Sequence, residues 1–210
     1  ALTTPFGFAV RLHRGLLVGL AAAGTALAVM YGSILGEVER MVAEVAALRE
    51  LVSQVGGDTV VDSFASLILL VVSSFTAVYV VLATLRARAE ENAGRAEPVL
   101  ATGLSRDRWV ASHVAVALLG GAVVHVVSGL AFAATGAASV GDATMFPRLV
   151  GASLAYLPAL WVMGGVAVAL YGWAPRLAPL AWAAPAYAFV VGYLGELFGL
   201  PEWTHYLSPF

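Results

Sequence analysis

FASLILLVVSSFTAVYVVLATL, residues 64–85, runs straight into RARAEENAGRAEPVLATGLSRDRW, residues 86–109. The first string carries no charged side chain. A bilayer core about 30 Å thick takes about 20 apolar helical residues to cross. In lipid every backbone N–H and C=O must pair internally, which leaves helices and closed barrels. The string does not alternate as a barrel strand would, so it reads as a transmembrane helix. The second string sets Arg86, Arg88, Arg95, Arg106 and Arg108 against Glu90, Glu91, Glu97 and Asp107. So many charges have no place in hydrocarbon, and this stretch must stand in water.

The rest of the chain repeats the first string's character. Of 210 residues, 60% are hydrophobic and 11% charged, with mean hydropathy +0.88. A soluble domain is about 45–50% apolar and about 25% charged. Four more runs are long and apolar enough to span: 16–35, 109–134, 149–170 and 177–194. The fold class is therefore all-α, a polytopic transmembrane bundle of about five spans in one domain. Thr4 and Pro5 read as a helix start. Residues 1–14 mix Phe6, Val10 and Leu12 with Arg11, His13 and Arg14, which predicts a separate interfacial helix. Between the first two spans, Val38, Met41, Val42, Val45, Leu48 and Val52 keep helical spacing. That predicts an amphipathic helix at the outer face, ended by Gly56 and Gly57. The tail from Gly195 carries Trp203 and Tyr206, residue types that favour the membrane interface.

Arginine placement sets the orientation. With the N-terminus inside, Arg11, Arg14, Arg86, Arg88, Arg95, Arg106, Arg108 and Arg176 lie on the inner side. Arg40, Arg49 and Arg148 lie outside, which satisfies the positive-inside rule. Localisation in a prokaryotic plasma membrane with a cytoplasmic N-terminus is the expectation. The start, Ala1-Leu2-Thr3-Thr4-Pro5, lacks the basic region and cleavage site of a signal peptide. The absent initiator Met leads us to expect a fragment or a processed chain.

Several function classes drop out. There is no cysteine, hence no thiolate metal site or thiol nucleophile. There is no lysine, and a P-loop needs one to reach the phosphates. ATP hydrolysis by that route needs another chain. Net charge is −2, which suggests no nucleic-acid partner. No HExxH motif or triplet of ligands suggests a metal.

The polar segment 86–108 has internal structure of its own. Arg86–Asn92 favours helix, Gly94 can end it, and Pro98 can open a short turn with Val99, Leu100 and Leu104 as its apolar face. Mixed charge around a small apolar face suits docking onto another protein. A solvated loop stabilised by its own ion pairs explains the same residues, and physics alone leaves the two even.

Glu90-Glu91-Asn92-Ala93-Gly94-Arg95-Ala96-Glu97, then Leu100-Ala101-Thr102-Gly103 and Leu104-Ser105-Arg106-Asp107-Arg108-Trp109, resembles the cytoplasmic loop of type-2 ABC exporter permeases. The version with Gly94-Arg95-Ala96-Glu97 and Leu100-Ala101-Thr102 resembles the polyketide-antibiotic exporter branch. Pro5…Arg11-Leu12…Arg14-Gly15 resembles the elbow helix that opens the second half of such permeases. Gly199–Phe210 resembles the segment before their last span. The resemblance implies a C-terminal permease half lacking its last helix. It also implies a coupling helix at residues 86–108 that meets a P-loop ATPase subunit through Glu90, Glu91, Gly94, Arg95, Glu97, Leu100 and Arg106. The other permease half and the lipid bilayer are the remaining partners. No cofactor is expected on this chain, with ATP–Mg bound by the ATPase.

Inside the membrane, Ser73, Ser74, Thr76 and His125 are candidates for a substrate path, for an apolar or amphipathic cargo such as an antibiotic. Hydroxyls in such helices more often bond their own backbone. His113 and His125 lie 12 residues apart, roughly 120° around the helix and over 3 turns distant. They cannot share a metal on one face, and each reads first as a structural histidine bonded to a neighbouring helix. Gly15 and Gly19 match a small-residue packing motif. Arg148 is expected to pair with Asp142 or to snorkel. Pro158, Pro179 and Pro185 can kink their spans. A secondary transporter or channel would want charges at mid-membrane, where His125 alone comes close. An intramembrane enzyme would need converging acid, base or metal groups, and none is visible.

Overall fold

Thr4 starts the first helix as the sequence suggests: its hydroxyl accepts from the Gly7 amide at 3.1 Å, with Pro5 in the first turn. The computed structural model describes residues 4–44, 60–195, 198–201, 203–204 and 207–208. Its elements are α1 (Pro5–Ser33), α2 (Leu35–Glu44), α3 (Val60–Asn92), α4 (Glu97–Leu100), α5 (Arg106–Val140), α6 (Met145–Leu154), α7 (Leu157–Trp173), a 3-10 helix (Pro175–Trp182) and α8 (Ala183–Leu194). Among the described residues five segments are long and apolar enough to cross a membrane.

The expected division between an elbow at 1–14 and a span at 16–35 is not seen. α1 is one helix of 29 residues, because nothing between Arg11 and Leu16 stops it. There is no proline and no cap, and one glycine costs a helix only about 1 kcal/mol. At about 1.5 Å per residue α1 is about 43 Å long, so its basic first turns still reach beyond a hydrocarbon core. α2 follows after Ile34 alone, and the expected end at Gly56 and Gly57 lies outside the described residues.

α3 is the central helix and mostly buried, while α1 leaves most of its surface uncovered. α1 lies along α5, and α3 packs against both α5 and α7. The close approach of α1 to α5 is not at Gly15 or Gly19, which face open space. It lies further along, at Gly24 and Gly32, opposite Ser128 and Thr135, and continues into α2 at Gly36, opposite Ser139. Ser139 Oγ donates to the Gly32 carbonyl at 2.8 Å and accepts from the Gly36 amide at 3.2 Å. One hydroxyl thus pairs two backbone groups freed where α1 passes into α2.

The expected fourth span, 149–170, is two helices meeting at Ala155 and Tyr156. Pro158 is the cause: it has no N–H for the Leu154 carbonyl, and its ring crowds that carbonyl. The fifth span likewise begins as 3-10 helix, with Pro179 inside it, before becoming α8. At the end of the bundle away from the 86–108 loop, Arg148 pairs with Asp62, Nη2 to Oδ1 at 2.9 Å, and not with Asp142. Asp142 instead accepts from the hydroxyl and amide of Thr144, and these bonds hold its carboxyl below the ordinary range. Phe198, Trp203 and Leu207 in the tail are exposed, and Tyr187 Oη donates to the Thr204 carbonyl at 2.9 Å.

A Cβ on Gly36 would overlap the Ser139 carbonyl, a backbone atom that cannot swing aside. Gly36→Val should cost about 1–3 kcal/mol, as overpacking does, whereas Gly19→Ala should cost nothing and stabilise α1 by up to about 1 kcal/mol. Thermal denaturation of the detergent-solubilised protein checks this, and equal losses would contradict the assigned contact of Gly36 in α2 with α5.

Candidate functional site

α3 does not stop at the edge of a membrane core. It continues through Arg86–Asn92 and closes with two crossed bonds, the Gly94 amide to the Glu91 carbonyl at 2.9 Å and the Arg95 amide to the Glu90 carbonyl at 3.0 Å. This closure needs a left-handed residue, and Gly94 supplies it with φ +68°. Pro98 sits in the first turn of α4, Gly103 (φ +87°) turns the chain again, and the Ser105 hydroxyl caps α5 by accepting from the Arg108 amide.

Glu90 and Glu91 are adjacent, so their side chains leave the helix about 100° apart. Glu90 faces the α1 side. Arg95 grips it with Nε–Oε2 at 2.6 Å and Nη2–Oε1 at 3.2 Å, while Arg86 Nε stands off at 3.8 Å. The pairing with Glu90 also raises the pKa of Arg95, which keeps its charge throughout. Glu91 faces α5 and α7. Arg106 grips it with Nε–Oε1 at 2.6 Å and Nη2–Oε2 at 3.1 Å, Tyr171 Oη donates to Oε2 at 2.5 Å, and the Arg106 guanidinium lies over the Tyr171 ring at 5.6 Å. Beneath the loop, Val99, Leu100 and Leu104 pack on Ala87, Ala96, Trp109, Tyr171 and Ala178.

The predicted loop residues therefore divide. Glu90, Arg95, Glu91 and Arg106 form two clamps, Gly94 makes the turn, and Leu100 packs inward. Glu97 is exposed, and with Pro98, Ala101, Thr102 and Asp107 it forms the loop's outer face. Tyr171 escaped the sequence reading because it is one aromatic at the end of an apolar span. His13 also escaped. Grouped with Arg11 and Arg14, it is in fact fully buried, its Nε2 3.0 Å from His113 Nδ1. Helical spacing offered a signal, since Ala9, His13, Gly24, Ala28 and Gly32 are the buried positions of α1.

The interior candidates divide too. Ser73 Oγ donates to the Leu69 carbonyl at 2.7 Å and Thr76 Oγ1 to the Val72 carbonyl at 3.0 Å, each within its own helix. Ser74 Oγ has no hydrogen-bond partner among the described residues. It borders an apolar crevice of 390 Å³ between α1, α3 and α8, where Phe75, Trp182 and Phe189 are its aromatic walls. His125 Nε2 lies 2.8 Å from the Ser153 carbonyl, and Nδ1 lies 3.4 Å from Thr76 Oγ1. Both His113 and His125 bond a neighbouring helix, as their structural reading requires. His125 serves the broken span by capping a carbonyl next to the break.

Residues 2–210 match the family described as multidrug efflux system permease Rv1217c, C-terminal domain. The multidrug efflux system permease protein Rv1217c of Mycobacterium tuberculosis is 36% identical over 215 residues, covering 100% of this chain and 38% of that protein. The chain thus spans less than half the length of this relative.

Replacing His125 with Leu would remove the side-chain donor from the Ser153 carbonyl, which keeps the Tyr156 amide at 3.1 Å, a net loss of about 1 kcal/mol. Thermal unfolding in detergent should show that loss for His125→Leu and none for Ser74→Ala. Equal stability of His125→Leu and wild type would remove the capping role.

Proposed function

The chain belongs to the family of multidrug efflux permease C-terminal domains, and from that membership we propose that it is one membrane-spanning half of an ATP-driven exporter. The cargo is an apolar or amphipathic small molecule, of the kind many antibiotics are. ATP–Mg is bound and hydrolysed by a separate P-loop ATPase, and the second permease half is the other partner. The chain itself does no chemistry. The N-terminus and the 86–108 loop lie on the cytoplasmic side, in keeping with the arginine distribution.

One observation carries the reading. The loop is rigidly fastened to the bundle on its inner side and bare on its outer side. Glu91, Arg106 and Tyr171 join the ends of α3, α5 and α7, so a push on the outer face at Glu97–Thr102 reaches three spans together. A loop held only by its own ion pairs would not need a residue of α7. Rigid-body rocking of helices is a standard route to alternating access. The crevice beside Ser74 has apolar walls and, among the described residues, an unpaired hydroxyl, which supports it as part of the cargo path.

The test uses the intact permease with its ATPase. Glu97→Arg on the bare face should cut ATPase co-purification about tenfold or more, the size of one lost interfacial anchor, with the bundle's melting unchanged. Tyr171→Phe should leave the ATPase bound yet lower the cargo moved per ATP hydrolysed. Wild-type recovery of the ATPase by Glu97→Arg contradicts the docking face, and wild-type stoichiometry in Tyr171→Phe contradicts the three-span connection.

A further inference from the structure

Two clefts at the loop end of the bundle remain unexplained by that function. One, of 410 Å³, is lined by Phe8, Leu12, Arg86, Glu90, Arg95 and Trp109. The other, of 500 Å³, runs from Thr4 and Pro5 past Leu104 to Arg108. Phe8 and Trp109 wall both, so the two flank one aromatic pair between the first turns of α1 and the 86–108 loop.

The charges of these clefts do not cancel. Three arginines face one acid, Glu90. Arg95 already holds both of its carboxylate oxygens, leaving Arg86 at 3.8 Å. Arg86 Nε is buried and finds no hydrogen-bond acceptor among the described residues, a costly state for a charged donor. The Arg108 side chain makes no ion pair among the described residues. Around these cations the walls are apolar. Phe8, Leu12 and Trp109 wall the first cleft and Phe8, Val99, Leu104 and Trp109 the second, and Phe8 is 38% exposed. Water satisfies the arginines but not these side chains, and a hydrocarbon chain does the reverse. A ligand that meets both demands has an anionic head and an apolar tail.

We propose that this pair of clefts is a binding site for an anionic phospholipid. Its phosphate lies between Arg86 and Arg95, with Arg108 facing the headgroup from the second cleft, and an acyl chain lies along Phe8 and Leu12. The depth agrees: α1 exceeds a hydrocarbon core by several residues at this end, which puts its first turns among headgroups. Trp109, a residue type at home in the interface, is buried as the floor and packs against His113 with ring centroids 4.7 Å apart and the planes tilted by 58°. The site needs only the membrane setting of the bundle and holds whether or not the loop docks an ATPase.

The experiment measures lipid retained by the intact permease, purified from nanodiscs of phosphatidylglycerol, of phosphatidylcholine, or of a mixture, by native mass spectrometry. Phosphatidylglycerol should be retained in preference to phosphatidylcholine. Arg86→Gln and Arg108→Gln should each weaken retention about fivefold, the effect of one cation facing an anionic headgroup. Arg108→Gln changes an exposed side chain and keeps the test valid if Arg86→Gln fails to fold. Arg148→Gln, at the opposite end, should retain the lipid as wild type does. Equal retention of the two lipids, or retention unchanged in Arg108→Gln, overturns the proposal. So does displacement of the lipid by glycerol 3-phosphate at millimolar concentration, which would mark a site for a free anion.

Discussion

Two adjacent carboxylates at the end of one over-long helix organise this half of the molecule. α3 has 33 residues, about 50 Å at about 1.5 Å per residue, and its excess length lies at the charged end. Glu90 and Glu91 are both largely withdrawn from water, with 11% and 22% of their side chains exposed. A carboxylate so placed needs a cation or donors to hold it. Adjacency on a helix forbids a shared partner, so two partners must come from two directions. Arg95 comes from just beyond the turn and Arg106 from the first residue of α5. The path between them, including the turns at Gly94 and Gly103, is what remains once those two arginines are fixed. The short apolar side of α4 then has one place to go, onto Ala87, Trp109 and Tyr171.

Within the apolar part of the bundle the rule changes. Lipid is as apolar as leucine, so burial of leucine gives little drive for helix to meet helix there. Close backbone approach and buried hydrogen bonds do the work instead. α1 meets α5 through Gly24, Ala28 and Gly32 against a face that presents Ser128, Thr135 and Ser139. The histidines belong to the same economy. His13 and His113 share one hydrogen bond, which requires one ring nitrogen to carry a proton and the other to lack it. That bond ties the basic start of α1 to α5 just beneath Trp109. His125 repeats the device deeper, at the Ser153 carbonyl beside the break in the fourth span.

The sequence made the spans legible because a long run of Leu, Val, Ala and Phe has few readings, and it made the loop's inner grammar legible because Gly94, Pro98 and Ser105 act through local backbone chemistry. Arg86–Asn92 as helix, the Gly94 stop and the Pro98 turn all stand in the structure. What failed was whatever depended on a partner distant in sequence. Arg148 had Asp142 near it in the chain but Asp62 near it in space. Gly15 and Gly19 matched a motif whose meaning needs a facing helix, and none faces them. Glu91 and Arg106 looked like a surface because their third member, Tyr171, lies 65 residues beyond Arg106. Proline at position 158 announced a kink, but whether the span bends or breaks depends on whether another helix pairs the freed carbonyls. Here His125 bonds the adjacent Ser153 carbonyl from α5 and holds the broken end in place.

The break in the fourth span gains meaning from what holds its two pieces. α6 is fastened to the start of α3 by the Arg148–Asp62 pair, at the end of the bundle away from the loop. α7 is fastened to the end of α3 and the start of α5 by Tyr171, at the loop end. Between them stand Ala155 and Tyr156, outside either helix. A continuous helix would carry any displacement of the loop straight to the Arg148–Asp62 end. The broken one lets α7 tilt with the loop while α6 stays with α3, pivoting where His125 holds the Ser153 carbonyl. Under the proposed exporter role, the motor's stroke reaches α7 directly through Tyr171, while α6 receives it only through α3 and the Arg148–Asp62 pair.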